Sequence, residues 1–165
     1  MLVPAETSTP GVDALEPRGY LALSHPAAGR AVTVGCSVAV NEVVTKASPW
    51  SVTETVSRLS ALVEGRGMKL FGVIDHSGEA AAHGLELRET TVVIFGSPES
   101  GTPVMAAAPL AALDLPLKVL VWADDDGTKL SYTAPAALAA RYGLGDELSS
   151  RLAGIDALTS ALVAG

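Results

Sequence analysis

Asp75 and His76 stand side by side where a strand-like run, Met68 to Ile74, gives way to a turn. An imidazole next to a carboxylate can serve as a tuned base or as a metal ligand. His83 follows seven residues after His76, so a helical segment would put both rings on one face. With Asp75 they would offer three donors to a divalent cation. The plainer alternative is that Asp75 caps a short helix and His76 covers the sheet edge. A second cluster is Gly96-Ser97-Pro98-Glu99-Ser100-Gly101-Thr102, ahead of a helix expected to begin at Pro103. Backbone N–H groups at such a helix start would favour an anion. The stretch lacks the lysine of a P-loop and does not match the dinucleotide fingerprint, and Ser97 has no Gly-x-Ser-x-Gly elbow. A simple turn is the alternative there.

Asp114 lies between Leu113 and Leu115, just before Pro116. A carboxylate in so apolar a setting has to be exposed, paired or hydrogen-bonded. Lys118 is four residues on, on the same side of an extended segment, and an ion pair between them is expected; acceptance of loop N–H bonds is the alternative. Trp122 and Tyr132 flank an expected hairpin at positions read as pairing across it. Such rings pack a core or a subunit contact, or wall a pocket. Together Asp75, His76, Ser97 and Asp114 would line a small polar pocket, with Trp122 or Tyr132 as its wall.

These residues need a scaffold, and the hydropathy pattern supplies one. Residues 1 to 29 hold Pro4, Pro10, Pro17 and Pro26 among small and acidic residues, which reads as an irregular N-terminal extension. Residues 30–165 read as a single domain. Val32, Val34, Cys36, Val38 and Val40 alternate with small residues, a period of two that predicts a strand. Asn41-Glu42 reads as a bulge or bend, and Val43 to Ala47 continues extended. Ser51 and Glu54 have capping-box spacing, and Val52, Val56, Leu59 and Leu62/Val63 form one stripe of a helix ended by Gly65 and Gly67. His76 to Gly84 predicts a short helix, and Thr90 to Phe95 a central strand. Leu117 to Trp122 and Lys129 to Thr133 are strands joined at Asp124-Asp125-Asp126-Gly127, a tight-turn signal. Ala134 to Arg141 and Asp146 to Val163 predict helices. The expected fold is α+β in two layers, a mixed or antiparallel sheet of about four to six strands covered by helices on one face.

Composition narrows the function. The 165 residues are 48% hydrophobic but only 4% aromatic, and the net charge is −7. No basic run is present, which argues against nucleic acid and anionic membrane surfaces as partners. Cys36 is the single cysteine, so neither an intrachain disulfide nor a CxxC zinc site can form. Pro109, Asp114, Pro116 and Lys118 interrupt the apolar stretch Met105 to Ala123 and argue against a membrane span. Residues 1 to 20 lack a secretory pattern, and the expected location is the cytoplasm.

The order of short motifs resembles a bacterial family known as domain of unknown function 302, over about residues 41–163. It is carried by Ser48-Pro49, Asp75-His76, Gly84-Leu85-Glu86-Leu87, Phe95-Gly96, Thr102-Pro103-Val104-Met105, Pro109 through Lys118, Trp122 and Ser131-Tyr132. The resemblance implies a compact α+β domain, often homodimeric, with no established activity. The family pattern usually has Asn at the positions of Ser97 and Thr133 and His at that of Tyr142. The leading expectation is a homodimeric domain that binds a small anionic or metal-linked ligand through Asp75, His76, Ser97, Asp114, Trp122 and Tyr132. The alternatives are an enzyme with His76 as general base, oriented by Asp75 or Asp114, and a purely structural or interaction module.

Overall fold

The computed structural model describes residues 42–165. The N-terminal extension, the alternating segment 31–40 with Cys36, and Asn41 lie outside the described residues.

Five strands form one sheet: β1 (Val43–Ser48), β2 (Lys69–Asp75), β3 (Thr90–Gly96), β4 (Leu117–Asp124) and β5 (Gly127–Thr133). Their order is β1-β5-β4-β3-β2, and every neighbouring pair is antiparallel. This resolves the mixed-or-antiparallel expectation. The β4–β5 hairpin turns at Asp125-Asp126, with Asp124 opposite Gly127. Gly127 takes φ 116°, a conformation that side chains rarely adopt. Helix α1 (Val52–Gly65) crosses from β1 to β2. Ser51 Oγ accepts from the Glu54 N–H at 3.2 Å, the cap that the sequence spacing predicts. Helix α2 (His76–Ala82) joins β2 to β3, and α3 (Pro98–Ala107) with a 3-10 turn (Pro109–Leu113) joins β3 to β4. Helices α4 (Pro135–Tyr142), α5 (Asp146–Ser150) and α6 (Gly154–Ala164) complete the chain.

One sheet face is covered. Val93, Phe95, Val119, Val121 and Leu130 are fully buried under Leu59 and Val63 of α1 and Ile155 and Leu158 of α6. At about 25 cal/mol per Å² of apolar surface, this cluster is the main source of stability. A smaller cluster of Val104, Ala111, Leu138 and Leu152 sits beside it under α3 and α4. The opposite sheet face has no helix over it among the described residues. The register puts Ile74, Val92, Ile94, Leu120 and Trp122 together there, with Lys118 and Lys129 towards its two ends.

Two boundaries differ from expectation. Helix α3 begins at Pro98, five residues before Pro103, because Pro98 already has the fixed φ of a first helical position. The terminal helix expected over Asp146 to Val163 is two, α5 and α6, separated by a turn at residues 151–153. The break lets Leu152 enter the smaller cluster while Ile155, Leu158 and Leu162 face the sheet.

Candidate functional site

The structure distributes the six sequence-selected residues among different places. Asp75 and His76 are at one end of the sheet and Ser97 at the other. Asp75 pairs with Thr91, six residues before Ser97 along β3, a separation of about 20 Å. Asp75 is the N-cap of α2: its Oδ1 accepts from the Gly78 N–H at 2.9 Å and from the Ser77 hydroxyl at 2.6 Å. Those two bonds hold its carboxyl below the usual carboxylate range. A Cβ on Gly78 would lie 2.6 Å from Asp75 Oδ2, so the tight cap depends on glycine. His76 is exposed at the first residue of α2. No group of three His, Cys, Asp or Glu side chains able to hold a metal ion occurs among the described residues.

Trp122 and Tyr132 do not pair across the hairpin; they point to opposite faces. Trp122 is opposite Lys129 on the uncovered face, and its indole N–H donates to Ser131 Oγ at 3.0 Å. Tyr132 is buried under α6, where its hydroxyl donates to Asp156 Oδ1 at 2.6 Å. Thr159 Oγ1 donates to the Tyr132 hydroxyl at 3.2 Å and accepts from Lys46 Nζ at 2.8 Å. Burial, and then the Asp156 bond, push the Tyr132 phenol up to about 12.

Ser97 and Asp114 do share one end of the sheet, on either side of the segment from Asp114 to Lys118. On the polar side, Asp114 Oδ2 accepts from the Tyr142 hydroxyl at 2.6 Å and from Arg141 Nη1 at 2.8 Å. The Tyr142 bond is the larger cause of an Asp114 carboxyl held below its usual range. Lys118 donates to the backbone carbonyl of Asp114 at 3.2 Å, not to its carboxylate. The expected Asp114–Lys118 ion pair is thus replaced by the partnership with Arg141 and Tyr142. Asp114, Lys118 and Thr133 also border a recess of about 80 Å³.

On the apolar side lies a larger cleft of about 270 Å³. Phe71, Leu115, Pro116, Leu117 and Leu152 form its walls, and Gly96, Ser97, Pro98, Ser100, Gly101 and Thr102 with Met105 of α3 close it. Phe71 comes from the irregular step in β2 between Leu70 and Gly72. Half-exposed, it stands over Gly96, where a Cβ would meet its ring at 3.8 Å. Arg151 is the single charged residue of the lining. The amides of Ser100 and Gly101 donate to the Ser97 carbonyl at 3.1 and 2.9 Å, so these two close the helix turn. They are not free to cradle an anion. Sequence reading selected Ser97 but missed Phe71, Met105 and Arg151, since each reads as an ordinary apolar or surface residue until the fold gathers them.

A five-stranded antiparallel sheet with helices against one face is the scaffold of an α+β sandwich, and comparison places it. The family described as domain of unknown function DUF302 matches residues 44–162, and the chain belongs to that family. The crystal structure of an uncharacterised conserved DUF302 protein from Bacillus stearothermophilus superposes with a TM-score of 0.64 at 18% identity. That match covers 75% of this chain and 97% of that one. A protein of Brucella suis named fluoride-specific ion channel FluC 1 is 40% identical over 118 residues, covering 71% of this chain and 46% of that protein. Its Brucella abortus counterpart matches at 40% identity over 43% of its length. The chain therefore spans less than half the length of the curated relatives it matches. No helix among the described residues is long and apolar enough to cross a membrane.

Proposed function

We propose that this domain binds a small organic anion in the cleft between α3 and the Leu115–Leu117 segment. The observation that supports this is a cleft of about 270 Å³ with an almost wholly apolar lining and one cation, Arg151. Ligand sites are typically apolar concavities with a few placed polar groups. Ser97 lines this cleft, and Asp114, next to Leu115 of the wall, is held by Arg141 and Tyr142. Gly101 lines the cleft inside α3, where a Cβ would meet only Met105 at 3.8 Å. A Cβ at position 101 is therefore unstrained, and Gly101→Leu should occupy the cleft while favouring the helix. Native mass spectrometry of gently purified protein should show a bound small molecule that Gly101→Leu loses. A bare protein in both cases would overturn the proposal.

The same domain self-associates through the uncovered sheet face. Val92, Ile94, Leu120 and Trp122 make a half-buried apolar centre there beside exposed Ile74, and apolar patches open to solvent mark contacts. Five strands at ~4.8 Å spacing and about seven residues long span roughly 500 Å² in projection. That is the order of the ~800 Å² of accessible surface per partner in stable complexes.

The Brucella relatives favour a second, compatible reading. Their printed name is that of a fluoride channel, and the matched 118 residues are under half of each protein. In this reading the domain is an accessory module of a membrane transporter. Fluoride itself suits the cleft poorly, because a small, strongly hydrated anion gains nothing from walls that are mostly apolar. The ligand would then be a signal, not the transported ion. Adding the purified domain to vesicles carrying the Brucella suis protein's channel portion should alter fluoride efflux; unchanged efflux would remove this reading.

A further inference from the structure

We infer that the ligand of this cleft is an apolar-tailed monocarboxylate whose carboxylate is met by Arg151, an assignment that rests on the binding reading above. The walls set the tail. Phe71, Met105, Leu115, Pro116, Leu117 and Leu152 offer carbon and sulfur surfaces without a carboxylate among them. At about 30 Å³ per water-sized group, the space of about 270 Å³ takes roughly nine such groups.

Arg151 sets the head. It is held in place by two long bonds, Nη1 to the Glu99 carbonyl at 3.4 Å and Nη2 to Glu147 Oε1 at 3.3 Å. A guanidinium has five N–H donors in a planar fork, so others remain for a ligand. Glu147 is no strong competitor: its side chain is 85% exposed, and exposed i,i+4 pairs contribute little. Ser97, Ser100 and Thr102 also line the cleft, and their hydroxyls make no hydrogen bond to another described residue. Their hydroxyls bring neutral donors to the same cleft. One cation with neutral hydroxyls matches a single negative charge, and the planar fork matches a carboxylate in two parallel bonds. A dianionic phosphate would call for further cations, and the lining has none.

Calorimetric titration with octanoate and with octanamide, its neutral counterpart of equal size, separates head from tail. Octanoate should bind about tenfold more tightly than octanamide, the scale of one charge-assisted interaction. Arg151→Gln should abolish that preference, weakening octanoate far more than octanamide, a ratio that a merely structural role of Arg151 would not move. Arg151→Lys keeps the charge without the fork and should retain only part of the preference. Equal affinity for both compounds in the unaltered protein, both lost in Gly101→Leu, would overturn the carboxylate assignment and leave the cleft as a binding site. Preference surviving in Arg151→Gln would overturn Arg151 as the head-group residue. Binding of neither compound would overturn the assignment, and a bare protein in the native mass measurement would then remove the underlying reading as well.

Discussion

Arg151 supplies the hydrogen bond that Pro103 cannot. Inside α3 the acceptor for residue 103 would be the Glu99 carbonyl, but proline has no N–H to give it. Nη1 of Arg151, arriving from the turn between α5 and α6, donates to that carbonyl at 3.4 Å. The proline inside α3, the split terminal helix and the one cation of the cleft are therefore linked.

Replacing Pro103 by Ala should restore the intrahelical bond and release Arg151. Proline costs about 3 kcal/mol relative to alanine within a helix, partly offset by its stiffening of the unfolded chain. A net gain of about 1–2 kcal/mol in chemical denaturation is expected. A loss of stability would mean that the proline ring contributes packing that outweighs the missing bond.

Asp114 should govern part of the acid response. Its folded carboxyl is held below the unfolded value by Tyr142 and Arg141. The stability it contributes is present above the unfolded value, about 3.9, and is lost as pH falls through the lower folded one. Asp114→Asn should cost about 1 kcal/mol at neutral pH. It should also flatten the decline in melting temperature between pH 4 and 2 relative to the unaltered protein. Parallel acid limbs would contradict this.

Tyr132 governs the alkaline side with the opposite sign. Its phenol is raised to about 12, so the stability it contributes is complete below the unfolded value of about 10 and is lost as pH rises towards 12. Tyr132→Phe should be less stable at pH 8 by about 1–2 kcal/mol, since the Asp156 bond is gone. The gap between the two proteins should then narrow above pH 10. A constant gap would show that the hydroxyl does not titrate as described.

The uncovered sheet face gives a test of assembly. Val92 is opposite Leu120 at the centre of that face, half-buried, and pairs with Ile74 on its other side. Val92→Asp should leave the melting temperature within a few degrees while converting a dimer to a monomer in light scattering. A monomer before substitution would dismiss the sheet-face interface.

The sheet was legible because its signals are local. Alternation, the Ser51–Glu54 cap and the Asp-Gly turn each sit within a few residues. Even the opposed faces of Trp122 and Tyr132 follow once the turn is fixed. Asp124 opposite Gly127 sets Trp122 against Lys129, and Leu120, on the same face as Trp122, against Ser131, one residue from Tyr132. Asp114's true partners, Arg141 and Tyr142, lie 27 and 28 residues later on a different helix, and no spacing rule reaches them. The cleft was hidden for the same reason: Phe71, Met105, Leu115 and Arg151 belong to four different segments. Two prolines compatible with a helix start, Pro98 and Pro103, also left the origin of α3 ambiguous in the sequence.

The most direct test of the binding cleft uses its one methionine. The chain has three methionines; Met105 lines the cleft, whereas Met68 packs against the main core. In protein labelled with ¹³C-methyl methionine, titration with octanoate should shift the Met105 resonance saturably and leave that of Met68 in place. Saturable shifts absent at Met105, or equal at both, would contradict the cleft as the binding site.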